Sequence, residues 1–116
     1  MKKTFNNEVI LSFMTKRLYS NTPPTVLFGL LGEFLFGYAP QTIELPRMRE
    51  DFGDFILQSM PFDMREAVLN WKHTDDWMDK VNEFDRKFPN GVTLDHKELI
   101  NYIESRDTKY LQGHGK

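Results

Sequence analysis

The chain has 116 residues, a formal net charge of −2 and no cysteine. That length suits one domain with a real core, built here from ten Phe, four Tyr, two Trp and six Met. The charge speaks against a general binder of duplex nucleic acid, which needs a basic stripe to neutralise phosphates. The missing thiols exclude disulfides, thiolate metal centres and cysteine nucleophiles, and fit a cytoplasmic protein.

Asn6 or Asn7 can cap a first helix, with Glu8 favourable in its first turn. Ahead of it, Lys2 and Lys3 do not lead into an apolar core, because Asn6, Asn7 and Glu8 intervene; no signal peptide is expected. The apolar phase carries this helix to about Tyr19. Val9, Ile10, Leu11, Phe13, Met14 and Leu18 share one arc at 100° per residue, and Arg17 falls in its middle. A guanidinium cannot be buried there without an anion or several acceptors. Either the helix ends early or Arg17 pairs with Glu33 or another acid, or Arg17 faces a ligand anion at a pocket or subunit interface.

Residues 20–24 form a turn in which Thr22 can cap a second helix with Pro23 at its first position, running to about Phe36. Its apolar character all round predicts a central helix or one packed between subunits. Gly29 and Gly32 would leave a flat groove for another backbone. The run from 26 to 36 is the chain's most apolar, yet it is far short of the roughly 18 residues a membrane span needs. No membrane partner is expected. Gly37 suits the helix C-cap. Tyr38, Pro40, Gln41 and Thr42 follow in a loop, with a short extended piece near 41–45.

Pro46 starts a third helix that ends near Met60 at Pro61, with Met48, Phe52, Phe55, Ile56 and Ser59 on the inner face. Arg47 lies in its first turn, where a cation opposes the helix dipole. It holds a phosphate together with nearby amides, or it pairs with Asp51 one turn on. A fourth helix from Pro61 to about His73, with Asp63 as cap, turns Met64, Ala67, Val68 and Trp71 inward. A fifth opens with Thr74 as N-cap and carries the stripe Trp77, Val81, Phe84 and Phe88, a core or interface seam. After the turn Pro89-Asn90-Gly91, Asp95 and Glu98 are spaced as a capping box for a last helix to about Arg106. A loose tail from 107 follows, in which Tyr110 and Leu111 can dock on a neighbour. The expectation is an all-α, single-domain bundle without repeats.

Catalytic and metal signatures are missing. His73, His96 and His114 share no helical spacing. Setting Gly91 as the sixth residue of a calcium loop puts Arg86 first and Lys97 twelfth, where carboxylates belong. There is no phosphate loop, G-x-S-x-G or G-x-G-x-x-G. The sequence predicts neither an enzyme nor a cofactor. What remains is binding chemistry: Thr15, Lys16, Arg17 and Arg47 to hold phosphates, and Tyr19, Phe36 and Tyr38 to stack on a base.

Met14-Thr15-Lys16-Arg17-Leu18, the Leu30, Leu31, Phe34 and Gly37 centre, and the closing Leu45-Pro46-Arg47 together resemble a widespread family of short phage proteins. These pair a T-G-R-L-like element with a later L-P-R. The likeness covers about residues 8–61. This chain departs from it at Lys16, where many relatives are expected to carry glycine. The family in turn is similar to phage anti-CBASS sponges, which bind the host's cyclic dinucleotide signal without cleaving it and assemble as homotetramers. The resemblance implies a nucleotide sponge for a ligand such as 3',3'-cyclic GMP–AMP, acting in the infected cell's cytoplasm to block effector activation. Thr15, Arg17 and Arg47 sit on matching motif positions and, with Lys16, would hold the two phosphates while a neighbouring subunit closes the pocket. Stacking by Tyr19, Phe36 or Tyr38 is inferred from their chemistry alone. The alternative is a phage protein that inhibits or redirects a host protein, using Trp77, Phe84 and Phe88 or the exposed part of the Gly29/Gly32 helix.

Overall fold

Asn6 turns the chain into its first helix. In the computed structural model, which describes residues 1–106, the Asn6 side chain accepts the Val9 amide at 3.0 Å. One of the N–H groups that a helix start leaves orphaned is thereby satisfied. Helix α1 (Asn7–Thr15) buries Val9, Ile10, Leu11 and Phe13. Asn7 is buried as well; its amide nitrogen donates to Asp85 Oδ1 at 3.1 Å and to the Phe88 carbonyl at 2.7 Å. The expected tail, with Tyr110, Leu111 and His114, lies outside the described residues.

The fold is mainly helical, as expected, but it contains a small sheet that the sequence did not disclose. Strand β1 (Lys2–Phe5) pairs antiparallel with β2 (Val92–Asp95), Lys2 opposite Asp95 and Phe5 opposite Val92. Phe5, Val92 and Leu94 point into the core, while the outward hydroxyls of Thr4 and Thr93 meet at 2.7 Å. Gly91 makes the turn into β2 at φ +66°; a Cβ there would lie 2.4 Å from the Phe5 carbonyl oxygen, so the site demands glycine twice over. The extended piece expected near 41–45 is instead a 3-10 turn (Thr42–Glu44), fixed by reciprocal side-chain bonds between Gln41 and Glu44.

Helix α1 stops at Thr15, four residues short of its expected end. Lys16 takes φ 64° and ψ 21°, a left-handed C-cap conformation usually left to glycine. Among the described residues it is the one non-glycine with positive φ. The helical phase that set Arg17 on an apolar arc therefore does not apply. Arg17 leaves the helix and stands exposed, in line with the early-ending reading.

The helix expected from Pro23 to Phe36 is two: α2 (Pro24–Leu27) and α3 (Gly29–Phe36), with Phe28 between them at φ −97° and ψ 1°. The break turns the Phe28 ring edge-on to Phe13 at 5.9 Å. Pro23, not Thr22, holds the N-cap position. The pair is not buried all round, since Val26 and Leu30 are 66% and 56% exposed. Gly32 serves this chain's own packing. A Cβ on it would lie 2.1 Å from Pro40 Cδ, so the connector after Gly37 folds back onto α3. Gly29 has nothing within 4 Å of its would-be Cβ. The groove expected at the two glycines is thus filled at Gly32 by an internal proline.

Helix α4 (Leu45–Gln58) starts at Pro46's turn and buries Met48, Phe52, Phe55 and Ile56, as its periodicity predicts. Helix α5 (Phe62–Leu69) begins at Pro61 as expected, with Pro61 rather than Asp63 in the N-cap position, and ends a turn early; α6 (Trp77–Lys87) starts after Asp76, whose carboxylate takes the Thr74 hydroxyl. Helix α7 (His96–Glu104) is capped by Asp95, which accepts the Lys97 amide at 2.9 Å. Buried side chains from every α-helix and both strands form one cluster. Among the described residues no helix is long and apolar enough to cross a membrane.

Candidate anion-binding cleft

The left-handed turn at Lys16 makes the site. It throws Lys16 and Arg17 outward and brings Tyr19 back against α1, where the Tyr19 amide donates to the buried Ser12 hydroxyl at 2.9 Å. Thr15, Lys16, Arg17 and Tyr19 then line one cleft of about 300 Å³. Met14, Val68, Leu69, Trp71 and His73 complete it, from the ends of α1 and α5 and the segment that follows α5. Among the described residues no carboxylate lines this cleft. Neither Lys16 nor Arg17 has an ion-pair partner among the described residues. Two unopposed cations in one concavity give it a positive field.

The four side chains differ in what they offer. Thr15's hydroxyl donates to the Leu11 carbonyl at 2.7 Å, so its proton is committed to the helix and only its lone pairs remain. Tyr19 is 6% exposed. Its ring packs against Trp71 at 5.7 Å and Trp77 at 5.5 Å, so it is a piece of the cleft's floor rather than a free stacking face. Its hydroxyl lies 3.0 Å from Trp71 Nε1 and 3.0 Å from His73 Nδ1. Half-buried Trp71 lines the cleft, and Lys80 Nζ stands 5.0 Å from the centre of its ring.

The other three expected site residues lie elsewhere. Phe36 is 1% exposed, with its ring 5.3 Å from Tyr38 and 5.9 Å from Phe52; it is core and has no face to give a base. Tyr38 is exposed, and its hydroxyl donates to Glu44 Oε2 at 2.8 Å. That bond holds the Tyr38 phenol above its ordinary pKa. Glu44 is held below the usual carboxylate range, first by the Gln41 amide and then by Tyr38. Arg47 Nε stands 4.0 Å from Asp51 Oδ2, the pairing weighed against a phosphate role. Tyr38, Glu44 and Arg47 thus form a second polar cluster around the loop before α4, and none of them lines the cleft of Arg17.

No family model, curated protein or solved structure matches this chain. The cleft's chemistry is read from its own geometry.

Three contributors escaped the sequence reading. Arg49, two residues past Arg47, donates from Nε to the Phe13 carbonyl at 2.6 Å and lies over the Phe13 ring. It satisfies a carbonyl in α1's last turn and braces the helix end that carries the cleft; burial pushes its pKa down. Trp71 was expected to face inward, but not to bond Tyr19. The sequence offers His73 only as a metal ligand, not as a donor to an anion. Among the described residues no group of acids and histidines suits a metal ion. The cleft can hold an anion by two cations, with an indole and aliphatic carbons beside it.

Proposed function

We propose that the chain is a phage immune-evasion protein that binds and sequesters a cyclic dinucleotide of the 3',3'-cyclic GMP–AMP class without cleaving it. It works as a homo-oligomer, tetrameric by the resemblance, in the cytoplasm of the infected cell. The observation that carries this reading is the acid-free cleft in which Lys16 and Arg17 stand unpaired beside Trp71. Its volume of about 300 Å³ falls at the small end of ligand pockets, which span roughly 300–1,000 Å³. A ligand with two nucleotides therefore needs a second copy of the chain to close over it. Arg47 enters the reading through that second copy.

Calorimetry against a panel of cyclic di- and trinucleotides tests it. The expected result is micromolar or tighter binding to at least one, with intact nucleotide recovered after heating the complex. No binding to any of them overturns the proposal, and turnover of one moves the protein to the nucleases.

A second reading, a binder of a host protein, is favoured by the exposed Val26 and Leu30 and by Ile43 and Phe62, which are also largely solvent-facing. The Trp77, Phe84 and Phe88 stripe is less available to a partner, since Phe84 is buried and Trp77 and Phe88 are half-buried. A pull-down returning one stoichiometric partner, with no nucleotide bound, would favour this reading.

A further inference from the structure

We infer that His73 is a third donor of the anion cleft, its Nε2–H fixed by the Tyr19–Trp71 pair and offered to a phosphoryl oxygen held by Lys16 and Arg17. This rests on the anion-binding part of the proposed function and not on which nucleotide is bound.

The proton positions follow from what each group is able to do. An indole nitrogen only donates, so Trp71 Nε1, 3.0 Å from the Tyr19 oxygen, makes that oxygen an acceptor. Tyr19 is only 6% exposed, and its hydroxyl proton needs an acceptor in turn. Among the described residues His73 Nδ1, at 3.0 Å, is the acceptor within reach. Nδ1 then keeps its lone pair, and a neutral imidazole with a bare Nδ1 carries its proton on Nε2. The ring is held in place as well as in tautomer: it stacks on Trp77, with centroids 6.4 Å apart and planes 26° apart, and lies 5.9 Å from the Tyr19 ring. Nε2 sits on the side of the ring away from the Tyr19 hydroxyl and has no hydrogen-bond partner among the described residues. His73 itself is exposed and lines the same acid-free cleft as the two cations. An oriented neutral donor beside two flexible cations gives the cleft direction: it favours an oxyanion at one place over a diffuse cloud of counterions. Fifty-four residues separate Tyr19 from His73, and no motif links them.

Long-range ¹H–¹⁵N correlation spectra of the histidine rings at neutral pH test the tautomer directly. The expected pattern has His73 wholly in the Nε2–H form, and Tyr19→Phe releases it to a mixture. Inorganic pyrophosphate and 3',3'-cyclic GMP–AMP are then titrated separately. Both are expected to move the His73 nitrogen resonances and leave those of His96 in place. His73→Ala should weaken pyrophosphate binding by roughly tenfold, the value of one hydrogen bond to a charged group. His73→Gln, whose amide donates from a similar position, should recover most of that loss. An Nδ1–H tautomer in the wild type, or resonances that neither probe moves, overturns the inference. Movement by pyrophosphate without binding of any cyclic dinucleotide upholds the inference and sinks the nucleotide reading. Tight nucleotide binding that leaves His73 untouched does the reverse, and a protein that binds neither probe refutes both.

Discussion

Lys16 shows how a single backbone conformation joins strain to charge. At φ 64° an L-residue crowds its own carbonyl, at a cost of roughly 1–2 kcal/mol. Glycine, which has no Cβ, escapes that cost. Lys16→Gly is therefore expected to stabilise the protein by about 0.5–1 kcal/mol, seen as a melting temperature higher by a few degrees. The same substitution removes one of the cleft's two free cations, so pyrophosphate affinity should fall. Stability and affinity moving in opposite directions identify strain kept at a binding site; a loss of both refutes it. The Tyr38–Glu44 bond offers a residue-scale check of another kind. Glu44's depressed pKa means that its contribution to stability is present above the ordinary glutamate range and is lost as pH falls through the depressed value. Tyr38's raised pKa means that its contribution is present below the ordinary tyrosine value and is lost as pH rises through the raised one. In Tyr38→Phe, carboxylate NMR should show Glu44 titrating closer to its ordinary value yet still below it, because the Gln41 amide remains bonded. A Glu44 titration that does not move would mean that the phenol contributes nothing.

At the scale of elements, what could be read from the chain was what depends on near neighbours. Asn6 and Asp95 cap the helices expected of them, and Met48, Phe52, Phe55 and Ile56 form the buried face that their spacing predicts. The strands could not be read, because Lys-Lys-Thr-Phe carries one apolar residue and its partner lies some ninety positions on; its extended state is decided by the pairing. The end of α1 was missed for a related reason. Apolar periodicity runs past Thr15, and the left-handed stop falls on a lysine where a glycine would have marked it. The cleft was half legible: clustered charge singled out Lys16 and Arg17, but Trp71 and His73 join them only through tertiary packing. Gly32 was read as a place for another chain's backbone, and it is the seat of Pro40. Gly32→Ala would set its Cβ inside the van der Waals radius of the Pro40 ring, so a loss of about 1–3 kcal/mol in urea denaturation is expected. A neutral result would mean that the 37–41 connector lifts away without cost, leaving Gly32 open to another chain after all.

At the scale of the whole molecule, the proposed function asks more of the protein than one copy provides. Arg17 lines the cleft and Arg47 does not. If both hold phosphates of one ligand, they come from different copies. Arg17→Ala and Arg47→Ala should then each weaken cyclic dinucleotide binding by tenfold or more, since each removes a charge-assisted hydrogen bond worth roughly 1.5–3 kcal/mol. Arg17→Ala should keep the wild-type melting temperature and oligomer size, because Arg17 has no partner among the described residues; the Arg47–Asp51 contact, 4.0 Å long between partly exposed side chains, is a pair of small worth. Mixing the two variants distinguishes shared sites from private ones. Across a two-fold interface each site takes Arg17 from one copy and Arg47 from the other. A mixed pair then contains one site with both arginines replaced and one with both intact. With random exchange half of the pairs are mixed, so co-refolded variants should regain about a quarter of the wild-type sites at wild-type affinity. Calorimetric stoichiometry reads that fraction. Recovery of no sites, with exchange verified by mass, would place both arginines' effects within one chain and remove the shared pocket from the proposal.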